Sequence, residues 1–356
     1  MDDYSDKNLT ALFGLVCVIF FGVFCVKTFY RRHVNRDSHS PGLLEGWAEE
    51  AIGDAVEQYN LGRYYYDGTD QCKVNGELYE VKGVGDGGNF VEAAKWFRKS
   101  AEQNYAKAQF YLGGCYYHGN GVEKDYAKAA MWFRKSAEQD FAEAQYCLGG
   151  CYDKGEGVPQ DYAKAVRWIN KAAEQNNTGA QYALGVFYYR GEGVEKDYVR
   201  AAIWFRKAAE QNHADAQRNL GVCNYNGEGV EKDVVEAVKW FRKAADQGCA
   251  DAQSYIGSFY SRGEGVEKDY AEAVKWYRKA SESGCVSAQL KLGWCYANGK
   301  GVETNAVEAY KWYHLASAQG NESAKKNLSI REQKMTPAQI AEGQKLAREF
   351  KPGMKP

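Results

Sequence analysis

The sequence predicts an all-α solenoid preceded by one transmembrane helix, and three observations predict it. Seven of the nine tryptophans, Trp96, Trp132, Trp168, Trp204, Trp240, Trp276 and Trp312, stand 36 residues apart. On the same period, Ala-Gln pairs begin at Ala108, Ala144, Ala180, Ala216, Ala252 and Ala288, and Gly-Val pairs at Gly121, Gly157, Gly193, Gly229, Gly265 and Gly301. A fixed period of this size marks stacked supersecondary units. The third observation is the 18-residue run from Leu9 to Val26, which carries no charge. It lies at the short end of a bilayer-spanning helix, for which about 20 residues suffice.

Composition bounds the function. The 356 residues are 45% hydrophobic and 26% charged, enough apolar material for a substantial core. Lys and Arg total 46 against 47 Asp and Glu, so the bulk attraction that non-specific nucleic-acid binding needs is missing, and no nucleic-acid partner is expected. Ten cysteines in this length fall below the density of a disulfide scaffold.

At the N-terminus, Asp2, Asp3 and Asp6 precede the apolar run, while Lys27, Arg31, Arg32 and Arg36 follow it. The positive flank belongs in the cytoplasm. A cleaved signal peptide would want a basic start and small residues at a cleavage site, and neither is present. The expected order is a short tail over 1–8, a transmembrane helix over 9–26, and a basic flank and linker over 27–43. The expected localisation is the cell membrane, single-pass, with the repeats cytoplasmic.

Residues 44–320 are expected to form seven helix-pair repeats. Leu43 to Gly53, anchored by Trp47, reads as half a helix capping the array. The first unit carries an insertion: Leu61 to Trp96 spans 35 residues where Leu112 to Trp132 spans 20. The extra residues fall near 69–85, where Cys72-Lys73-Val74 and Glu77 to Val81 flank Asn75-Gly76, a type I′ hairpin signal.

The unit from Ala106 to Phe141 shows why each repeat folds as it does. Ala108, Leu112, Cys115 and Tyr116 fall at i, i+4, i+7 and i+8, the stripe of an amphipathic helix A that ends at Gly119. Asp125 is the N-cap of helix B, as are Asp161, Asp197, Asp233 and Asp269, with Asn89 and Asn305 at the ends of the array. Tyr126, Ala129, Ala130, Trp132, Phe133 and Ala137 give helix B its apolar face. Asn104, Asn176, Asn212, Gly248, Gly284 and Gly320 follow helix B, where the backbone turns left-handed. One such hairpin has too little core to fold alone and must bury its face against its neighbours.

The string AQYxLGxxYxxGxGVxKDYxxAxxWFRKAAEQ, as it runs from Ala180 to Gln211, resembles the Sel-1-like repeat family, a relative of the tetratricopeptide repeats. The resemblance covers about residues 44 to 350. It implies a right-handed superhelix of antiparallel helix pairs serving as an adaptor or scaffold, with no catalytic residues common to the family.

The array is expected to close over 321–350 in a degenerate capping repeat, followed by a tail over 351–356. Glu322 to Ile330 repeats helix A, and Thr336-Pro337-Ala338-Gln339 starts a last helix whose stripe is Ile340, Gly343, Leu346, Ala347 and Phe350. Lys325 to Lys355 holds eight basic and three acidic residues, read as a solvated cap.

No enzyme, cofactor or metal site is expected. His118 aligns with Lys154, Arg190, Asn226, Arg262 and Asn298 in sister repeats, and His213 with Tyr105, Phe141 and Cys249. Both read as surface variations. No His pair has metal spacing, and the G-E-G sequences lack the strand that a phosphate loop requires. Cys115, Cys151, Cys223 and Cys295 share a position that Phe187 and Phe259 fill elsewhere, so it is a packing site. Free thiols of this kind fit a reducing compartment.

The positions of helix A that vary between repeats are 107, 110, 111, 114, 117 and 118 in the second unit, one stripe opposite the constant one. In tetratricopeptide-type arrays that side lines the concave groove, and it is read as the recognition surface. The candidate groove residues are Tyr66, Phe110, Tyr111, Tyr117, Tyr146, Tyr182, Tyr189, Arg218, Tyr225, Tyr255, Arg262 and Trp294, rich in the Tyr, Trp and Arg that dominate binding energies. The alternative is that these rings pack between adjacent A helices. The Arg-Lys pairs from Arg98-Lys99 to Arg278-Lys279 read as a solvated convex face, offset by Glu102, Glu138, Glu174 and Glu210.

The expected function is a membrane-tethered adaptor binding an unidentified protein or peptide in its groove. The alternative is an extracytoplasmic binding module for cell-wall or β-lactam-like ligands. A cysteine-rich branch of the family has such members, but the positions it staples, such as Ala209 and Gln217, are not cysteine here.

Overall fold

The computed structural model describes residues 53–68, 71–74, 77–80 and 88–351. The expected membrane span over 9–26 and the N-terminal half-helix lie outside them. Among the described residues no helix is long and apolar enough to cross a membrane.

The chain divides into two compact units, Met1–Asn89 and Phe90–Pro356. In the first, α1 (Ala55–Asp67) is followed by β1 (Gln71–Val74) and β2 (Glu77–Glu80), which pair antiparallel with Val74 opposite Glu77. Asp54 caps α1 through its carboxylate. The insertion leaves at Gly68 and returns at Gly88, and Asn89 N–H donates to the Tyr65 carbonyl at 2.8 Å.

The second unit is a run of helices. It begins with α2 (Phe90–Glu102), a helix B, and continues with α3 (Ala106–His118), α4 (Tyr126–Ala137), α5 (Ala142–Lys154), α6 (Tyr162–Glu174), α7 (Thr178–Arg190) and α8 (Tyr198–Glu210). Then come α9 (Ala214–Asn226), α10 (Val234–Asp246), α11 (Ala250–Arg262), α12 (Tyr270–Glu282), α13 (Val286–Asn298) and α14 (Ala306–Ala318). The closing helices are α15 (Glu322–Glu332) and α16 (Pro337–Glu349). From α3 to α14 the odd-numbered helices are A and the even-numbered B. Each A helix packs on the B helix of its own repeat and on that of the repeat before, the neighbour-only contact of an α-α solenoid.

Side-chain caps set the start of the B helices from α4 to α14. Asp125, Asp161, Asp197, Asp233, Asp269 and Asn305 each accept the N–H three residues on, satisfying a donor the helix leaves open. After helix B the left-handed residue is Asn104, Asn176, Asn212, Gly248, Gly284 or Gly320, and Asp140 adopts the same conformation with φ +59°. At the far end Thr336 and Gln339 form a reciprocal capping box, Gly343 lies against the Tyr310 ring, and Phe350 meets Trp312 edge-on at 5.4 Å.

The core repeats by column. Leu112, Leu148, Leu184, Leu220, Ile256 and Leu292 are fully buried. The glycine after each of them lies under a helix-B side chain; a Cβ on Gly221 would meet the Phe241 ring at 3.0 Å. This close approach explains why Leu-Gly or Ile-Gly recurs in every A helix.

A glutamine ladder runs through the interior. Buried Gln109 donates to the Ala101 carbonyl at 3.2 Å and accepts from Gln139 at 2.7 Å. Gln145, Gln181, Gln217 and Gln289 accept in the same way from Gln175, Gln211, Gln247 and Gln319. Ser283 interrupts the series. Its hydroxyl turns back to the Lys279 carbonyl, and the buried Gln253 Oε1 is left without a partner. Ser283→Gln is therefore expected to stabilise the chain by about 1 kcal/mol, read as a rise in the urea midpoint; an unchanged or lower midpoint would contradict this role for the ladder.

The Arg-Lys pairs differ from their sequence reading as a merely solvated face. Arg98, Arg134, Arg242 and Arg278 donate to the hydroxyls of Tyr116, Tyr152, Tyr260 and Tyr296, 18 residues on in the next A helix. Each paired lysine lies over the preceding tryptophan, as Lys207 does over Trp204 at 4.1 Å. Where Asn224 replaces the tyrosine, Arg206 has no such hydroxyl, and a cleft of about 620 Å³ opens between Arg206, Asn224 and Val234.

Candidate functional site

The variable stripe of the A helices is a face built at the joints between repeats. Phe110 on α3 meets Phe141, the residue before α5, at 5.4 Å. Tyr182 on α7 stacks on His213 at 4.6 Å, and His213 accepts the Ala216 N–H at the start of α9. This corrects the reading of His213 as a plain surface variation: the same ring that stacks on Tyr182 also caps a helix. Tyr111 leans on Phe97 and Tyr255 stacks on Phe241 at 4.5 Å, each against the preceding helix B.

Three tyrosines near the helix ends are committed to the fold. The hydroxyls of Tyr117, Tyr189 and Tyr225 donate to Glu156, Glu228 and Glu264 in the next inter-helix loop, at 2.6, 2.8 and 3.2 Å. Burial together with Glu228 pushes the Tyr189 hydroxyl up to about 12. The G-E-G glutamates are thus acceptors that tie one repeat to the next, a role that the 39-residue separation hid from sequence inspection.

The remaining candidates are more open. Tyr146, Tyr255 and Trp294 are 36%, 36% and 41% exposed, and Tyr162 on helix B is the one other exposed Tyr, Trp or Phe among the described residues. Arg218 approaches Asp215 at 3.8 Å, and Arg262 pairs with Glu264 at 3.4 Å. Tyr66 belongs to the first unit.

Polarity changes sharply along the stripe. On α11 the positions held elsewhere by Phe, Tyr, Arg or Leu, by Gly, Val or Trp, and by Tyr, Asp or Ala are all serine: Ser254, Ser258 and Ser261. On α13, Lys291 donates to Ser258 Oγ at 2.6 Å, and Ser287 meets Ser254 Oγ to Oγ at 2.9 Å. Burial, reinforced by Arg262, holds the Lys291 ammonium below the usual lysine range. Sequence inspection placed this column on the stripe but did not single out Lys291. It is the one cation in a column otherwise filled by Tyr111, Cys147, Ala183, Asn219 and Tyr255.

Among the described residues no cluster of His, Cys, Asp and Glu has metal-binding geometry. Burial pushes the Cys115 and Cys223 thiols up to about 12, far from the thiolate that a nucleophile requires.

Comparison with known proteins agrees with this architecture. The Sel1 repeat family matches over residues 58–78, 81–105, 106–141, 142–177, 178–213, 214–249, 250–285 and 286–321. A Sel1 repeat protein from Oxalobacter formigenes is similar at 30% identity, covering 73% of this chain and 96% of its own, with a TM-score of 0.62. The protective antigen c5321 of uropathogenic Escherichia coli, which displays an SLR fold, is similar at 25% identity over 88% of this chain and 94% of its own, with a TM-score of 0.44. No curated protein matches the chain.

Proposed function

Since the chain belongs to the Sel1 repeat family, we propose that it is a membrane-tethered adaptor binding a protein or peptide segment along the groove formed by its A helices. The observation that carries this reading is the placing of exposed aromatics: among the described residues Tyr146, Tyr255 and Trp294 lie on the A-helix stripe, whereas Tyr162 is the one exposed aromatic of the B helices, beside the aliphatic Val199, Ile203 and Val235. Large rings with few rotatable bonds are the usual anchors of an interface. The tether rests on the uncharged run over 9–26 and its basic flank, which would raise the effective concentration of the repeats toward membrane-bound partners. Free thiols at Cys115, Cys151, Cys223 and Cys295 accord with repeats on the cytoplasmic side.

Affinity capture from detergent-solubilised membranes tests both parts. Proteins captured by the parent chain are expected to be lost with the Tyr146→Ser/Tyr255→Ser/Trp294→Ser variant and kept with Ile203→Ser/Val235→Ser. Deletion of residues 1–36 is expected to move the chain from the membrane to the supernatant fraction. Full capture by the triple variant would reject the groove, and an unchanged membrane fraction on deletion would reject the tether.

A further inference from the structure

The geometry points to an anion subsite at the α11–α13 joint, formed by Lys291, which Ser258 holds in place, with the hydroxyls of Ser254 and Ser287, that takes a side-chain carboxylate of an acidic peptide; it rests on the groove reading above. Lys291 is half-buried; its ammonium donates to Ser258 Oγ and lies 5.6 Å from the centre of the Tyr277 ring. Among the described residues no carboxylate pairs with it. Arg262, the cation beside it, is paired with Glu264. Asp251 lies at the other end of α11, where it accepts from the Cys285 thiol. Ser258 donates onward to the Ser254 carbonyl at 2.8 Å and accepts from Tyr277 at 3.3 Å.

A partly desolvated ammonium without a counter-ion is costly to keep. The fold does not require it, because sister repeats fill the same position with Tyr, Cys, Ala and Asn. Serine is likewise dispensable at the three α11 positions, yet all three carry it together. One cation, with the spare hydroxyl proton of the Ser254–Ser287 pair beside it, matches a single negative charge. A phosphate dianion would favour a free guanidinium fork, and the nearby Arg262 is already engaged.

Fluorescence anisotropy of the full chain in detergent, with labelled hexaglutamate as the probe and hexaglutamine as its control, tests this. Lys291→Met is expected to weaken hexaglutamate binding by about tenfold or more, the range of one charge-assisted hydrogen bond, while Lys291→Arg stays close to the parent. Lys291→Met is also expected to melt at the same temperature as the parent or higher, since an unbalanced buried charge is removed; a purely structural lysine would give a lower one. Equal hexaglutamate binding by the parent and Lys291→Met, equal binding of hexaglutamine by the parent, or a lower melting temperature for Lys291→Met would each overturn the subsite. The capture experiment with the aromatic triple variant does not involve Lys291, so the groove can stand if the subsite fails.

Discussion

Phe241→Ala is expected to lower the stability of the second unit by about 3–5 kcal/mol, the range for emptying a fully buried aromatic site. The Phe241 side chain is 0% exposed on α10. Its ring covers Gly221 of α9, stacks on Tyr255 of α11 at 4.5 Å and lies 5.7 Å from Phe259. One side chain therefore fastens three helices from two repeats. Since each repeat contacts only its neighbours, the rest of the array cannot compensate at that joint. Urea unfolding followed by circular dichroism is expected to show a lower midpoint and a first transition of reduced slope, as the array separates at α10. A loss below about 1 kcal/mol would mean that the joint collapses around the cavity, contrary to the close packing inferred here.

The second large effect is expected at a turn. Gly157 has φ +74°, and a Cβ there would stand 1.9 Å from the Tyr126 carbonyl oxygen at the start of α4. Neither backbone can yield without displacing a capped helix end, because Asp125 is fixed to the Lys128 N–H at 2.9 Å. Gly155 provides the internal comparison. Its φ is +72°, but the nearest atom to an added Cβ is Gln160 Cβ at 3.3 Å. Gly155→Ala is expected to cost about 1–2 kcal/mol, the left-handed penalty alone, and Gly157→Ala about 3 kcal/mol or more. Paired urea titrations separate the two. Equal losses would show that the approach of the loop to the preceding helix B is not a rigid contact.

What the sequence made legible follows from what the repeat holds constant. Trp132 and its counterparts, the Ala108 column and the Asp caps must each meet an identical neighbour, so their chemistry recurs every 36 residues. The pairing of β1 with β2 was legible from the Asn75-Gly76 sequence signal between them. Contacts between repeats were not legible. Arg134 to Tyr152, Gln139 to Gln109 and Tyr117 to Glu156 join residues 18, 30 and 39 apart, and a helical-wheel reading of one unit cannot say which neighbour a side chain meets. For that reason the sequence reads the arginines as solvated and leaves open whether Tyr117, Tyr189 and Tyr225 anchor a partner or pack between repeats. Lys291 is hidden differently: its column is merely variable in sequence, and only the structure places Ser258 within reach of it and, among the described residues, no carboxylate beside it.

The central claim is that side chains not used in joining the hairpins, left on the A helices, form the surface that receives a partner. Hydrogen–deuterium exchange of the full chain, with and without a captured partner, measures this most directly. The account predicts added protection in α5, α7, α9, α11 and α13, with α6, α8, α10 and α12 unchanged. Protection confined to those B helices, with the A helices unaltered, would contradict it.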